Sequence, residues 1–156
     1  MLKFKITKQE YNFINEIYSY GIAGGVSLPT VKDATRCLRK MDQRFRDIGD
    51  AIKIKSKEVK LLVEKEEDEK KKAKINDDFN EEVEKAIKEP ETILCTKDYI
   101  KALVDILDRV DWTRKELLNK FKAADTIMLE DIIENLQAAK DENAEEEVEE
   151  KPKKKK

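Results

Sequence analysis

The sequence contains no histidine, and only two cysteines, four glycines and three prolines among its 156 residues. Without histidine, the chain lacks the usual base of Ser-His and Cys-His nucleophile pairs and the commonest transition-metal ligand. Cys37 and Cys95 are too few for a Cys₄ zinc site, and we expect two reduced thiols in a cytoplasmic protein. The scarcity of glycine and proline argues against an all-β fold, because its turns need them.

Long apolar segments are also missing. No apolar run approaches the roughly 20 residues that span a bilayer. Residues 1–7 lack the apolar centre of a signal peptide. We therefore expect no membrane partner and a location in the cytoplasm.

The sequence has no pattern typical of a catalytic or cofactor site. The glycines between residues 21 and 25 are not followed by the Lys-Ser/Thr pair of a phosphate-binding loop. Acidic residues are numerous, but they fall on predicted solvent-facing sides of helices, where nothing raises a carboxyl pKa for acid–base chemistry. The sequence therefore predicts that the protein is not an enzyme and uses no catalytic residue, cofactor, metal ion or small-molecule substrate.

Charged residues make up 44% of the chain, against roughly 25% in an average soluble protein. This composition and the helical periodicity predict an all-α fold with at most a minor two-stranded ribbon. We expect one elongated helical domain over residues 1–139 and a disordered charged tail over residues 140–156. Helices are predicted at residues 8–20, 28–72, 77–89, 97–110 and 114–139, the second and third forming a long coiled-coil-like hairpin. The charged residues 64–74 could continue the second helix or form a mobile hairpin tip, and the last helix could break near Asp125.

Local signals place the ends of these elements. Gly21 is predicted to end the first helix. Leu2, Phe4 and Ile6 alternate with polar residues, and residues 92–96 are short and β-branched, so these segments are predicted to pair as the ribbon. Helix caps are predicted at Thr7 with Glu10, at Asn76 or Asp77, and at Thr113 with Glu116.

The second helix carries a heptad pattern, with apolar residues at every a and d position from Val31 to Leu62 except Lys55. Ile54 and Leu61 add a second apolar line, which indicates contact with more than one helix. The third helix could cover this surface within the chain, but it offers fewer apolar positions, so the surplus predicts self-association or a protein partner. The predicted interaction seam comprises Val31, Leu38, Met41, Phe45, Ile48, Ile52, Val59 and Leu62.

Basic residues form a stripe along another face of the same helix, with members one heptad, or about 10 Å, apart. The stripe could be a solvated face, could bind an acidic protein segment, or could follow a phosphate backbone. The net charge of −2 and the lack of interleaved exposed aromatics disfavour nucleic acid. The acidic residues 145–150 are a candidate for masking the stripe within the chain. The stripe comprises Lys32, Arg36, Arg39, Lys40, Arg46, Lys53 and Lys60.

The order of elements resembles that of a family of small helical proteins of unknown function, which are encoded in the tail-to-lysis regions of Gram-positive phage and prophage genomes. The resemblance covers the short helix ending at the glycine turn, residues 14–25, the charged helix over 31–72, and residues 76–83 with the helix at 98–107. It implies a phage-encoded protein of the bacterial host cytoplasm or the virion, and it supplies no catalytic residues. The final helix, residues 115–139, departs from the family pattern.

These observations together predict a non-enzymatic protein-interaction or assembly module. A phage accessory or structural protein and an inhibitor of a host protein both fit this description, and a homo-oligomer fits it as well. The alternative prediction is a nucleic-acid-binding protein that uses the basic stripe. Salt separates the two, because binding to phosphates weakens steeply with salt and apolar association hardly responds.

Overall fold

The computed structural model describes residues 1–143. The protein is mostly helical, with a small antiparallel sheet, which confirms the main part of the fold prediction. The tail predicted to be disordered from residue 140 instead begins with a short strand at Lys140–Asp141, which corrects the predicted end of the domain at residue 139. Residues 144–156, with the acidic residues 145–150 expected to mask the stripe, lie outside the described residues. The elements are β1 (Leu2–Ile6), α1 (Lys8–Ile22), α2 (Leu28–Lys65), α3 (Glu69–Lys88), β2 (Glu91–Cys95), α4 (Lys97–Leu107), α5 (Lys115–Lys120), α6 (Ala123–Gln137) and β3 (Lys140–Asp141).

The sheet has the order β2-β1-β3, and both pairings are antiparallel. The predicted pairing of the first strand with the segment before α4 is present, and in the observed register Phe4 lies opposite Ile93, with both side chains buried. The third strand was not predicted, because Lys140–Asp141 is too short to show an alternating pattern. It pairs with the start of β1, so the ribbon is widened by one short edge strand.

The first helix begins as predicted and ends later. The Thr7 hydroxyl accepts a hydrogen bond from the Glu10 amide at 3.0 Å, and the Glu10 carboxylate accepts one from the Thr7 amide at 2.9 Å. Gly21 does not stop the helix, which continues to Ile22. Instead, Gly21 gives room for a close approach to α4, while the turn that needs a positive φ is at Gly25, where φ is 90°.

The long helix α2 ends at Lys65, not at residue 72. The Asp68 side chain accepts a hydrogen bond from the Lys70 amide and caps α3, so neither Asn76 nor Asp77 starts that helix. The chain reverses direction within a run of charged residues, where no apolar periodicity marks the end of a helix. An aspartate at the N-cap is sufficient to begin the next helix there. Residues 66–68 connect the two helices.

The predicted helix at 114–139 is divided into α5 and α6. Phe121 is extended at the break, and its ring packs edge-on against three other aromatic rings. The prediction of a capping box at Thr113 is also wrong. The Thr113 hydroxyl donates a hydrogen bond to the Asp111 carboxylate, and the residue at the N-cap of α5 is Arg114, whose side chain makes no capping hydrogen bond. The fourth helix likewise ends at Leu107 rather than at residue 110.

The core lies around the first half of α2. Met41 and Phe45 of α2 are fully buried together with Ile17 of α1, Leu103 of α4 and Leu136 of α6. Beyond residue 48, Val59 is the only buried residue of α2, and α3 has no buried residue. The second half of α2 and α3 therefore form a lightly packed pair beside a well-packed body.

Two glycines give a direct test of this packing. A Cβ at Gly21 would overlap the Ile106 carbonyl oxygen, whereas a Cβ at Gly49 has nothing within 4 Å. We expect Gly21→Ala to lower the free energy of unfolding by about 1–3 kcal/mol, because α1 and α4 must separate. Gly49→Ala should raise it by about 0.5–1 kcal/mol, because alanine favours the helix interior. Urea denaturation measures both, and equal effects of the two substitutions would contradict the close approach.

Candidate interaction surface

The first half of the predicted seam is part of the chain's own core. Leu38, Met41 and Phe45 are buried, and Val31 and Ile48 are partly buried against the same cluster. Leu38, Met41 and Phe45 are therefore not accessible to a partner, whereas Ile48 also lines the open groove between α2 and α3. The heptad pattern identified the apolar face of α2 but not the elements that cover it.

The second half of the seam packs against α3. An open groove of about 400 Å³ is lined by residues of both helices. Because α3 begins only four residues after α2 ends, and the groove lies at residues 48–55 and 79–86 on either side of that connection, the chain reverses direction and the two helices run antiparallel. Of the remaining seam residues, Val59 is buried, Ile52 is partly buried and Leu62 is 55% exposed. Coiled-coil packing of this pair stays a prediction.

The second half of α2 also exposes large apolar side chains. Ile54 is 61% exposed, and Leu61 and Leu62 are each 55% exposed. Ile54 and Leu61 form the second apolar line of the sequence pattern, and neither α3 nor the body of the protein covers them. Three such residues within nine positions of one helix make a concentrated apolar surface.

The basic stripe divides into exposed and engaged members. Arg36 forms an ion pair with Asp33 at 3.3 Å and lies over the Tyr99 ring at 5.7 Å. Arg46 forms an ion pair with Asp42 at 2.7 Å. The exposed members without such contacts in the described part of the chain are Lys32, Arg39, Lys53 and Lys60, while Lys40 is half-buried. Acidic neighbours on the same helix thus offset part of the positive charge of the stripe.

Asp42 links the stripe to the body of the protein. Its carboxylate accepts a hydrogen bond from the Tyr11 hydroxyl at 3.1 Å and one from the Arg46 guanidinium at 2.7 Å. The hydrogen bond from Arg46 is the largest influence lowering the pKa of Asp42. Burial raises the pKa of Tyr11. This arrangement fixes α1 on α2 and is structural.

The two cysteines lie together inside the protein. Cys37 on α2 and Cys95 on β2 are both free and buried. Hydrogen bonding with Cys95, and then burial, raises the pKa of the Cys37 thiol. A buried protonated thiol is a weak nucleophile.

The other surface features of the described part of the chain include an acidic depression but no cluster of metal ligands. A depression of about 570 Å³ is open to solvent and is lined by residues of α2, α6 and α4 with its C-terminal cap, four of them aspartates. Within residues 1–143, no group of three or more histidine, cysteine, aspartate or glutamate side chains could hold a metal ion. No helix in that range is both long enough and apolar enough to cross a membrane.

Comparison of the chain with protein-family models, with curated proteins and with solved structures finds no match. The surface of α2 must therefore be interpreted from its own residues.

The Asp42 hydrogen bonds predict a dependence of stability on pH. Because the pKa of Asp42 is lower in the folded than in the unfolded protein, its carboxylate stabilises the fold above the unfolded value, about 3.9. That contribution is lost as the pH falls through the folded value. Asp42→Asn should therefore lower the melting temperature at pH 7, and the difference from the original chain should shrink below about pH 4. Asp131→Asn, at an exposed position of α6, is the control and should change little.

Burial predicts that both thiols are protected. We expect the native chain to resist N-ethylmaleimide and the denatured chain to gain two adducts, as measured by mass spectrometry. Ser56→Cys, at an exposed position of α2, is the matched control and should be modified rapidly in the native state. Rapid modification of the original native chain would contradict the burial of Cys37 and Cys95.

Proposed function

We propose that this chain is a non-enzymatic protein-interaction or assembly module. The observation that carries the proposal is the cluster of exposed apolar residues at Ile54, Leu61 and Leu62. Clustered apolar side chains on a soluble helix are typical of surfaces that bind another protein. A bacteriophage accessory or structural protein, or an inhibitor of a host protein, is the biological setting that we propose.

We further propose that α2 and α3 act as a coiled-coil-like hairpin that gives the bundle an elongated form. The short connection at residues 66–68 and the shared groove support this interpretation. The 38 residues of α2 correspond to a length of about 57 Å, well beyond the diameter of a typical small domain. Val59 is the only buried residue in the second half of α2, so this half gains little stabilisation from packing against α3. A binding partner would bury more of its apolar surface, which favours an interaction at this place.

Nucleic-acid binding is less well supported by the charge pattern. Arg36 and Arg46 are engaged by aspartates of the same helix, and Arg44 pairs with Glu91 at 2.7 Å. A phosphate backbone would have to compete with these contacts. Binding of this kind would be abolished by moderate salt and by Lys53→Glu with Lys60→Glu.

Site-specific photo-crosslinking tests the proposed function. Leu61 is replaced by the photoreactive residue p-benzoylphenylalanine, and the full chain is irradiated in a lysate of the cells that express it. We expect a protein adduct of defined mass, because the exposed row around Leu61 is the proposed contact. This adduct should persist at high salt and be lost when Ile54→Asp is added.

The matched control carries the same photoreactive residue at Leu118, which is 62% exposed on α5. Equal adducts at both positions would show that exposure alone explains the crosslinking, and no protein adduct at residue 61 would contradict the proposal. A salt-sensitive nucleic-acid adduct would favour the alternative function.

A further inference from the structure

A second heptad row lies on the outer half of α2, distinct from the buried seam. Its members recur at alternating spacings of four and three residues, the pattern of a helix–helix contact. Every member is exposed. We call it the outer row, and it comprises Asp47, Ala51, Ile54, Glu58, Leu61 and Lys65.

The outer row lies mainly to one side of the face of α2 that contacts α3. The residues of α2 that line the shared groove are Ile48, Ala51, Ile52 and Lys55, so Ala51 stands at the border between the groove and the outer row. With 3.6 residues per turn, the centre of the outer row lies about a quarter of a turn from the centre of these four residues. A further helix can therefore contact the outer row while α3 stays in place. Leu62 lies between the outer row and the face of α2 that contacts α3, and it is 55% exposed.

The charges of the outer row are arranged for a reversed copy of itself. Asp47 stands at one end and Lys65 at the other, and neither forms an ion pair within residues 1–143. When two rows run antiparallel, Asp47 of each lies opposite Lys65 of the other, and Ala51 lies opposite Leu61. A small residue then faces a large one, which allows close packing. In a parallel pair, Asp47, Glu58 and Lys65 would each face their own copies, and like charges repel.

We propose that the outer row binds the outer row of a second copy of this chain in antiparallel orientation, forming a two-fold symmetric dimer. The contact is isologous, since the same surface serves both chains. This inference rests on the proposed function and names its partner.

The size of the contact sets its strength. The row covers 19 residues, a length of about 28 Å, and a single helix face of that length contributes about 280 Å² per chain. A standard stable interface buries about 800 Å² per partner. Glu58 opposite Ile54 further weakens the centre while it restricts the register. The dimer should therefore be weak and dependent on concentration.

Sedimentation velocity of the full chain over a wide concentration range tests this dimer. We expect a reversible monomer–dimer equilibrium. Asp47→Lys and Lys65→Asp should each raise the dimer dissociation constant about tenfold, because each opposes like charges at both ends. The double variant Asp47→Lys with Lys65→Asp should restore the original dissociation constant, since the charges are then exchanged.

A mixture of the two single variants gives the most specific test of the charge pairing. An equimolar mixture of the two single variants should form heterodimers as tightly as the original chain, because both ends then pair opposite charges. A general loss of folding could not produce this rescue, and circular dichroism of each variant checks folding directly. Asp131→Lys on α6 is the matched charge reversal and should leave the dimer unchanged.

Two results would overturn the dimer: a chain that stays monomeric at all concentrations, or a dimer that Ile54→Asp and Leu61→Asp do not weaken. A monomeric chain that still crosslinks to a different protein through residue 61 overturns the dimer alone. A monomeric chain without any such adduct overturns both the dimer and the proposed function.

Discussion

The burial of the first half of α2 among β2, α1 and α4 is the contact on which the rest of the structure depends. Phe45 marks its centre: the ring is 1% exposed and stacks on Tyr11 with 5.5 Å between ring centroids. Lys8 lies over the same ring, and Asp42, one turn earlier on α2, accepts a hydrogen bond from Tyr11. Once this half is fixed, the remaining turns of α2 must extend beyond the core, because a helix continues along its axis.

This extension explains the uneven distribution of apolar contacts. The body buries side chains from every one of its helices, whereas α3 contributes none that is fully buried. The outer half of α2 is held by partial contacts with α3 and is kept in solution by its lysines and glutamates. Apolar residues on that half cannot be explained by the stability of the body, so their presence at regular spacing favours an intermolecular role.

Sequence patterns were informative where a local signal is strong. The capping box of Thr7 and Glu10 and the alternation of Leu2, Phe4 and Ile6 each specify structure through near neighbours. Features set by distant contacts were missed. The break at Phe121 depends on rings from other elements, and β3 is specified only by the strand it joins.

At the candidate surface, too, the sequence pattern was informative about local features and not about distant contacts. The heptad pattern correctly identified the apolar face of α2, but periodicity carries no information about which neighbour covers it. Leu38, Met41 and Phe45 match the pattern as well as Leu62 does, yet only Leu62 is exposed. A helix that packs against one neighbour needs a single apolar stripe, so the second line of Ile54 and Leu61 predicted contact with a further helix. Both side chains are exposed in the described residues, and that contact stays a prediction.

Charge and apolar area have different consequences for this surface. Arg36 and Arg46 of the stripe form ion pairs with acidic residues of the same helix, so these two cations favour orientation of a partner more than strong attraction. In the proposed dimer, Ile54 and Leu61 of the outer row would provide the energy of association, but a single helix face provides only a moderate amount. A partner bound here would consequently exchange readily. That property suits an adaptor, or an assembly step in which weak individual contacts are multiplied by repetition.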